Sequence, residues 1–226
     1  WTLGGIFKNK EKKDLNSKIN IFNSQKVEKF TFKNEDDAKK AVNEINLNKF
    51  AVSNIETKPF KRNPYAPFRT STMQQDASRK LGFGASRTMQ IAQRLYQGID
   101  IEGETVGLIT YMRTDGTNIS LDAVDDCRKF ITEKISPKYL PKEARNYSGK
   151  KAKNAQEAHE AIRPTDINRT PDSLKTKLDK DQFRLYELIW NRTVSSQMES
   201  AEFERTAIDL SNDSNSIIFR ANGSVQ

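Results

Sequence analysis

Residues 109 to 118 read Ile-Thr-Tyr-Met-Arg-Thr-Asp-Gly-Thr-Asn, an apolar run that delivers Tyr111, Arg113 and Asp115 in quick succession to a polar turn. These residue types at this spacing point to phosphodiester chemistry. A free phenol, with a pKa of about 10, is a poor nucleophile at neutral pH, so a transesterifying tyrosine needs nearby positive charge and a prearranged phosphate. Arg113 can supply both. Its guanidinium is permanently charged and holds a phosphate in a fork, and two residues along an extended segment it falls on the same face as Tyr111. The same residues also suit an ordinary strand end, where the tyrosine packs and the arginine makes a surface ion pair. Thr114 and Asp115 either shape the turn and orient Arg113, or the Asp115 carboxylate helps proton transfer beside an attacked phosphate.

The elements around this stretch divide the chain in three. Short strands are expected at Trp1–Leu3, Ile19–Phe22 and Val27–Phe32, the last with Phe30 and Phe32 on one face. Asn34 caps a helix through Ile45 whose stripe is Ala38, Ala41, Val42 and Ile45, and a strand follows from Phe50 to Thr57. The proline-studded run from Lys58 to Pro67 reads as a crossing between domains. Helices take over beyond it: one from Ser71 or Thr72 to Leu81, closed by Gly82-Phe83-Gly84, and one from Ser86 to Gln97. Ile101 to Met112 then reads as a hairpin turning at Glu102-Gly103-Glu104, and two helices plus such a ribbon suit a winged-helix unit. Ser120 caps a helix through Ile135, a long basic loop runs from Ser136 to Ala155, and further helices begin at Thr170-Pro171-Asp172 and at Asp181, the latter reaching Met198. Thr206–Leu210 and Ser216–Phe219 return to strand patterning. The fold class expected is therefore α+β, a helical winged-helix-like domain (63–199) inserted in a β-rich domain built from both ends of the chain (1–62 and 200–226).

Composition narrows the partners. The chain has 226 residues, a formal charge of +8 and 35% hydrophobic residues, so it can bury ordinary cores while presenting a basic surface. Clustered Lys and Arg attract phosphates by Coulomb interaction and counterion release, although a basic surface also serves solubility alone. The lone cysteine, Cys127, excludes an internal disulfide framework and falls at helical spacing with Leu121, Val124, Phe130 and Ile131, as a packed structural thiol does. No signal peptide and no membrane-length apolar run are present, which makes a cytoplasmic location the expectation. The first residue is Trp1, which hints at a piece of a longer protein.

Five blocks carry a family resemblance: Pro67-Phe68-Arg69-Thr70-Ser71-Thr72-Met73-Gln74-Gln75, Leu81-Gly82-Phe83-Gly84, Gln93-Arg94-Leu95-Tyr96, Ile109 to Asp115, and Gln156-Glu157-Ala158-His159-Glu160-Ala161-Ile162-Arg163-Pro164. In this order they resemble bacterial DNA topoisomerase I, a type IA enzyme. The blocks cover most of Asn63 to Met198, and the flanks resemble the family's β-rich arch more loosely. The resemblance implies that Tyr111 is the nucleophile that attacks single-stranded DNA and becomes linked to a 5′-phosphate. Arg113 then matches the family arginine on the scissile phosphate, and His159, the only histidine, a residue that orders the active-site hydrogen bonds. Arg163, ahead of a Pro164 expected to stop a helix, is a phosphate contact or a capping charge. Gly116 departs from the serine common at that position, which puts a hydroxyl role there in doubt.

The resemblance further implies that Mg2+ serves the intact enzyme from a separate toprim domain, and no metal site is expected in this chain. Single-stranded and negatively supercoiled DNA are the expected partners, together with the toprim and remaining domains of the same polypeptide, with no membrane and as a monomer. A single histidine cannot form the metal-holding pair of replication-initiator nucleases. Tyrosine recombinases and type IB enzymes place their arginine and histidine set before the tyrosine, whereas His159 follows Tyr111. Met112 favours topoisomerase I over topoisomerase III, where proline is common, with reverse gyrase a further subtype. The rival readings are a non-catalytic nucleic-acid-binding winged-helix module and a purely structural gate.

Overall fold

The computed structural model describes residues 1–9, 11–147 and 160–225. Two compact units divide the chain, one formed by Trp1–Arg62 with Ala201–Gln226 and the other by Asn63–Ser200.

Both ends of the chain join in one antiparallel sheet. Its first strands are β1 (Gly4–Lys8), β2 (Asp14–Phe22), the two-residue β3 (Gln25–Lys26) and, after helix α1 (Glu35–Asn46), β4 (Ala51–Arg62). The closing strands β7 (Ala201–Ser211) and β8 (Ile218–Val225) complete the order β1-β2-β8-β7-β4, with β3 beside β2. Less and more exposed side chains alternate along β1, most of β2 and the first half of β8, while the edge strand β4 is exposed at all but one position. Helix α1 starts where the Asn34 side chain accepts the Asp37 N–H at 2.8 Å, and three acids in its first turn suit the positive end of the helix dipole. It buries Ala38 and Ala41 in a core with Ile19, Phe32, Leu210, Ile217 and Phe219. The rings of Phe7, Phe50 and Phe219 meet edge to face there, with centroids 5.3–5.5 Å apart. Strand β4 lies at the sheet edge, where Pro59 costs no ladder hydrogen bond. It pairs with β7 from Ala51 opposite Ser211 to Arg62 opposite Ala201, so the chain leaves and re-enters the sheet between paired residues.

The inserted unit is mostly helical. Helix α2 (Thr70–Asp76) continues as a π-helical turn over Ala77–Leu81 and stops at Gly82, whose φ of 73° suits glycine. Helix α3 (Ala85–Gln97) leads into a ribbon of β5 (Ile99–Ile101) and β6 (Glu104–Val106), tightly turned at Glu102 and Gly103. Helix α4 (Leu121–Phe130) runs into a second π-helical turn, Ile131–Ile135, and a short α5 (Pro171–Leu174) precedes α6 (Lys180–Ser196). One core gathers Met73, Phe83, Leu95, Leu108, Met112 and Leu185 among others. At roughly 1.5–3 kcal/mol for each fully buried large side chain, that core supplies most of the drive to fold the unit. A second cluster, of Cys127, Phe130, Ile131, Ile167 and Val194, packs α4 against α6. Cys127 is fully buried, and that burial pushes its thiol pKa up to about 12, against a smaller pull downward from Arg128. This thiol is a packing group.

Several sequence expectations need correction. Val27–Phe32 is no strand: Thr31 folds back so that its hydroxyl accepts the Glu28 N–H at 2.8 Å, and Phe30 is 73% exposed while Phe32 is 4% exposed. A local side-chain turn has outcompeted pairing. The first strand begins at Gly4 and not at Trp1, and β4 extends through Pro59 to Arg62, which confines the crossing to residues 63–67. The hairpin ends at Val106, and beyond Gly107 the chain forms a single bridge at Ile109 and then bends at Thr110, Met112 and Arg113 instead of continuing the ribbon. Pro164 stops no helix. Residues 160–164 are extended, with Ile162 bridging Phe68 and Pro164 bridging Ile109, because the neighbouring segments offer them backbone partners.

Candidate active site

The segment carrying Tyr111 is held on both sides by other parts of the inserted unit. On one side, Thr70 at the start of α2 donates its N–H to the Thr114 carbonyl at 2.9 Å and accepts the Thr114 N–H on its hydroxyl at 2.9 Å. The same hydroxyl lies 2.8 Å from the Met112 carbonyl. The backbone is thus fixed immediately before and after Arg113. On the other side, Thr110 donates its N–H to the Arg163 carbonyl at 2.9 Å and its hydroxyl to the Ala161 carbonyl at 2.7 Å, while accepting the Arg163 N–H at 3.0 Å. Leu108 and Thr165 close the ladder through a bond of 3.1 Å.

Side chains along this segment alternate. Met112 is fully buried, whereas Tyr111 is 48% exposed and Arg113 and Asp115 are exposed. The bent segment thus sends Met112 into the core and both of its neighbours to solvent. The Tyr111 ring rests edge-on against Tyr96 of α3, with centroids 5.3 Å apart at 68°. Such a contact limits ring motion and leaves the phenolic end clear of the core. Arg113, Thr114 and Asp115 line an open groove of about 430 Å³ with Arg69, Thr70 and Ser71. Thr114 also accepts the Gly116 N–H on its hydroxyl at 3.0 Å, which tightens the turn after Arg113.

Arg163 is tied down. Its Nε donates to Glu160 at 2.6 Å and its Nη1 to the Pro164 carbonyl at 2.9 Å. Burial alone would raise the Glu160 carboxyl, but the Arg163 guanidinium and the Ser120 N–H outweigh it and hold that carboxyl below the usual range. His159 lies outside the described residues. Thr70 and Tyr96, which brace the tyrosine segment from α2 and α3, carry no local sequence signal that pairs them with it, whereas Thr110 adjoins Tyr111 and only its partners at Ala161 and Arg163 are distant in sequence. Only their membership of the recurring blocks hinted at a role.

Among the described residues no three His, Cys, Asp or Glu side chains come together as a metal-binding group. Asp115 shares its groove with two arginines, and Glu160 is already engaged by Arg163 and Ser120. This acid pattern does not fit a magnesium ion. No helix among the described residues is long and apolar enough to cross a membrane.

A family model described as DNA topoisomerase matches residues 1–226. The chain belongs to the bacterial type IA DNA topoisomerases. Among members of this family, DNA topoisomerase 1 of Rickettsia felis is 50% identical over 224 residues, covering 99% of this chain and 29% of the relative. The corresponding protein of Zymomonas mobilis is 46% identical over 209 residues, which cover 92% of this chain and 16% of that protein. Full-length topoisomerase I from Thermotoga maritima superposes with a TM-score of 0.70 at 34% identity, covering 93% of this chain and 32% of that one. The chain thus spans less than a third of its type IA relatives' length, and it shares their mixed helix and antiparallel-sheet architecture.

Proposed function

We propose that this chain carries the tyrosine site of a type IA topoisomerase and that Tyr111 attacks a phosphodiester of single-stranded DNA. The bond from the phenolic oxygen to phosphorus forms as the bond from phosphorus to the 3′ oxygen breaks. Tyr111 gives up its proton, the departing 3′ oxygen gains one, and the 5′-phosphate stays on the tyrosine. Attack by the same 3′-hydroxyl reverses the exchange and reseals the strand. Because one phosphoester replaces another, the strand can be rejoined without an external energy source. Arg113 neutralises the charge that builds on the phosphate, and a donor fixed beforehand does this without reorganisation at the moment of reaction.

One observation carries the reading. Tyr111 and Arg113 stand exposed on either side of buried Met112, in a segment whose backbone is hydrogen-bonded on both flanks of the arginine. Thr114 holds the turn, and Asp115 borders the phosphate. Arg163, through Glu160 and Thr110, keeps the segment in register, and His159 is assigned a supporting role in ordering the phosphate contacts. The order of α2, α3 and the β5–β6 ribbon supports a winged-helix-like DNA-binding domain. The sheet built from both chain ends then serves as part of the arch through which a second strand passes. Magnesium and the acid and lysine groups of the toprim domain come from outside these residues.

Two measurements test this division of labour. The 226-residue chain alone should fold and fail to relax negatively supercoiled plasmid, while a protein extended to the length of its relatives should relax it. In the extended protein Tyr111→Phe should abolish relaxation and leave binding to a single-stranded oligonucleotide within about twofold, since only one oxygen is removed. Magnesium-dependent relaxation by the chain alone would contradict the proposal.

A further inference from the structure

Many arginines of the inserted unit are already engaged. Arg87 pairs with Asp181, Arg145 with Glu199, Arg163 with Glu160, and Arg192 with Asp76. Arg69 and Arg113 are not: among the described residues neither guanidinium has an ion pair, a hydrogen bond or an aromatic ring beneath it. Both line the same open groove of about 430 Å³, together with Thr70, Ser71, Thr114 and Asp115. Asp115, the acid in that lining, also lacks a partner among the described residues, so it neutralises neither arginine through a direct contact.

Hydrogen bonds fix the spacing of the two arginines. Thr70, the residue after Arg69, bonds the carbonyls of both Met112 and Thr114, the neighbours of Arg113. The two backbones are therefore locked side by side, while both guanidiniums remain free to bind. A single anion would use one of them. A strand of nucleic acid offers phosphates in series, and guanidiniums are well suited to take each in a fork.

We infer that Arg69 is a second phosphate ligand. It holds a backbone phosphate neighbouring the one on Arg113, so that the groove grips a single strand at two points and aligns it across Tyr111. This rests on the reading of Arg113 as the ligand of the attacked phosphate. A strand held at one phosphate can pivot about it, whereas two contacts fix its direction, which an in-line displacement needs.

The test is fluorescence anisotropy of a labelled single-stranded thymidine oligonucleotide with the 226-residue chain across a salt series. Each phosphate neutralised on a single strand contributes about 0.7 to the log–log salt slope. Arg69→Ala and Arg113→Ala should each make the slope shallower by about 0.7, and the double variant by about 1.4. Arg69→Lys should restore the slope, because it keeps the charge. Arg79→Ala, which removes an exposed cation outside the groove, should leave it unchanged. Circular dichroism checks that each variant is folded. If Arg69→Ala behaves like Arg79→Ala while Arg113→Ala is shallower, Arg69 is not a ligand and the Tyr111 reading stands. An unchanged slope for both groove variants, or no binding at the lowest salt, overturns both readings. A change with Arg69→Ala alone separates Arg69 from the Tyr111 site and overturns the shared grip.

Discussion

A phenol becomes useful as a nucleophile only when its ring is held, and for Tyr111 the holding partner is Tyr96. The edge-on contact at 5.3 Å is the tyrosine's only aromatic neighbour among the described residues, so removing it frees the ring to leave its attacking position. Tyr96→Ala in the extended protein should lower the rate of covalent adduct formation about tenfold, with oligonucleotide affinity unchanged, and Tyr96→Phe should restore it. Rapid-quench measurement of adduct formation distinguishes these outcomes.

Glu160 makes a second prediction at the same scale. Its folded pKa lies below the ordinary 4.5, because the bonds from Arg163 and Ser120 outweigh burial, so the unfolded chain binds more protons around and just below that value. The stability it contributes is present above about pH 4.5 and is lost as the pH falls through the lowered folded value. Glu160→Gln should flatten the acid limb of a stability-versus-pH curve measured by urea unfolding between pH 3 and 6. Partial exposure keeps the effect small.

At the scale of elements, hydrophobic period and caps made the helices legible. Asn34, Ser120 and Thr170 each accept an N–H at the start of their helix, as their positions suggested, and Asp179 adds a capping box for α6. The strand expected at Val27–Phe32 failed because pairing with β2 ends at Val27, whose N–H reaches the Asn20 carbonyl at 2.9 Å, and the Thr31 hydroxyl then turns the chain by accepting the Glu28 N–H. The extended course of residues 160–164 was hidden because it depends on Phe68 and Ile109, which lie far away in sequence. The i, i+2 placement of Tyr111 and Arg113 could be read directly, whereas the clamp from Thr70 could not.

Packing of α6 against α2 yields an element-scale prediction. Asp76 receives Arg192 at 2.6 Å and Lys80 at 2.9 Å, and the Asp76–Arg192 side chains are only 16% and 12% exposed. The Arg192 guanidinium also lies 4.3 Å from the centroid of the Phe68 ring, next to the groove residue Arg69. Asp76→Ala leaves a mostly buried guanidinium without its anion and should cost about 3 kcal/mol, near the lower end for broken buried pairs. Chemical denaturation of the 226-residue chain measures this directly. A loss below about 1 kcal/mol would mean that the pair behaves like a surface one.

For the whole molecule, the return of strand patterning after the last helix already suggested a sheet made from two distant ends. Its strand order, with β8 between β2 and β7, was not readable, because pairing across so long an insertion leaves no local trace. The same separation explains how one chain can combine a site on a largely helical unit with a sheet that belongs to both termini. The central claim concerns one oxygen atom in this arrangement, and Tyr96 beside Tyr111 offers a built-in rival. The extended protein should be trapped on single-stranded DNA, digested with nuclease and trypsin, and the peptide Leu95–Arg113, which carries both tyrosines, fragmented in a mass spectrometer. The account requires the nucleotide remnant on Tyr111. A remnant on Tyr96, or on any other residue, would contradict it.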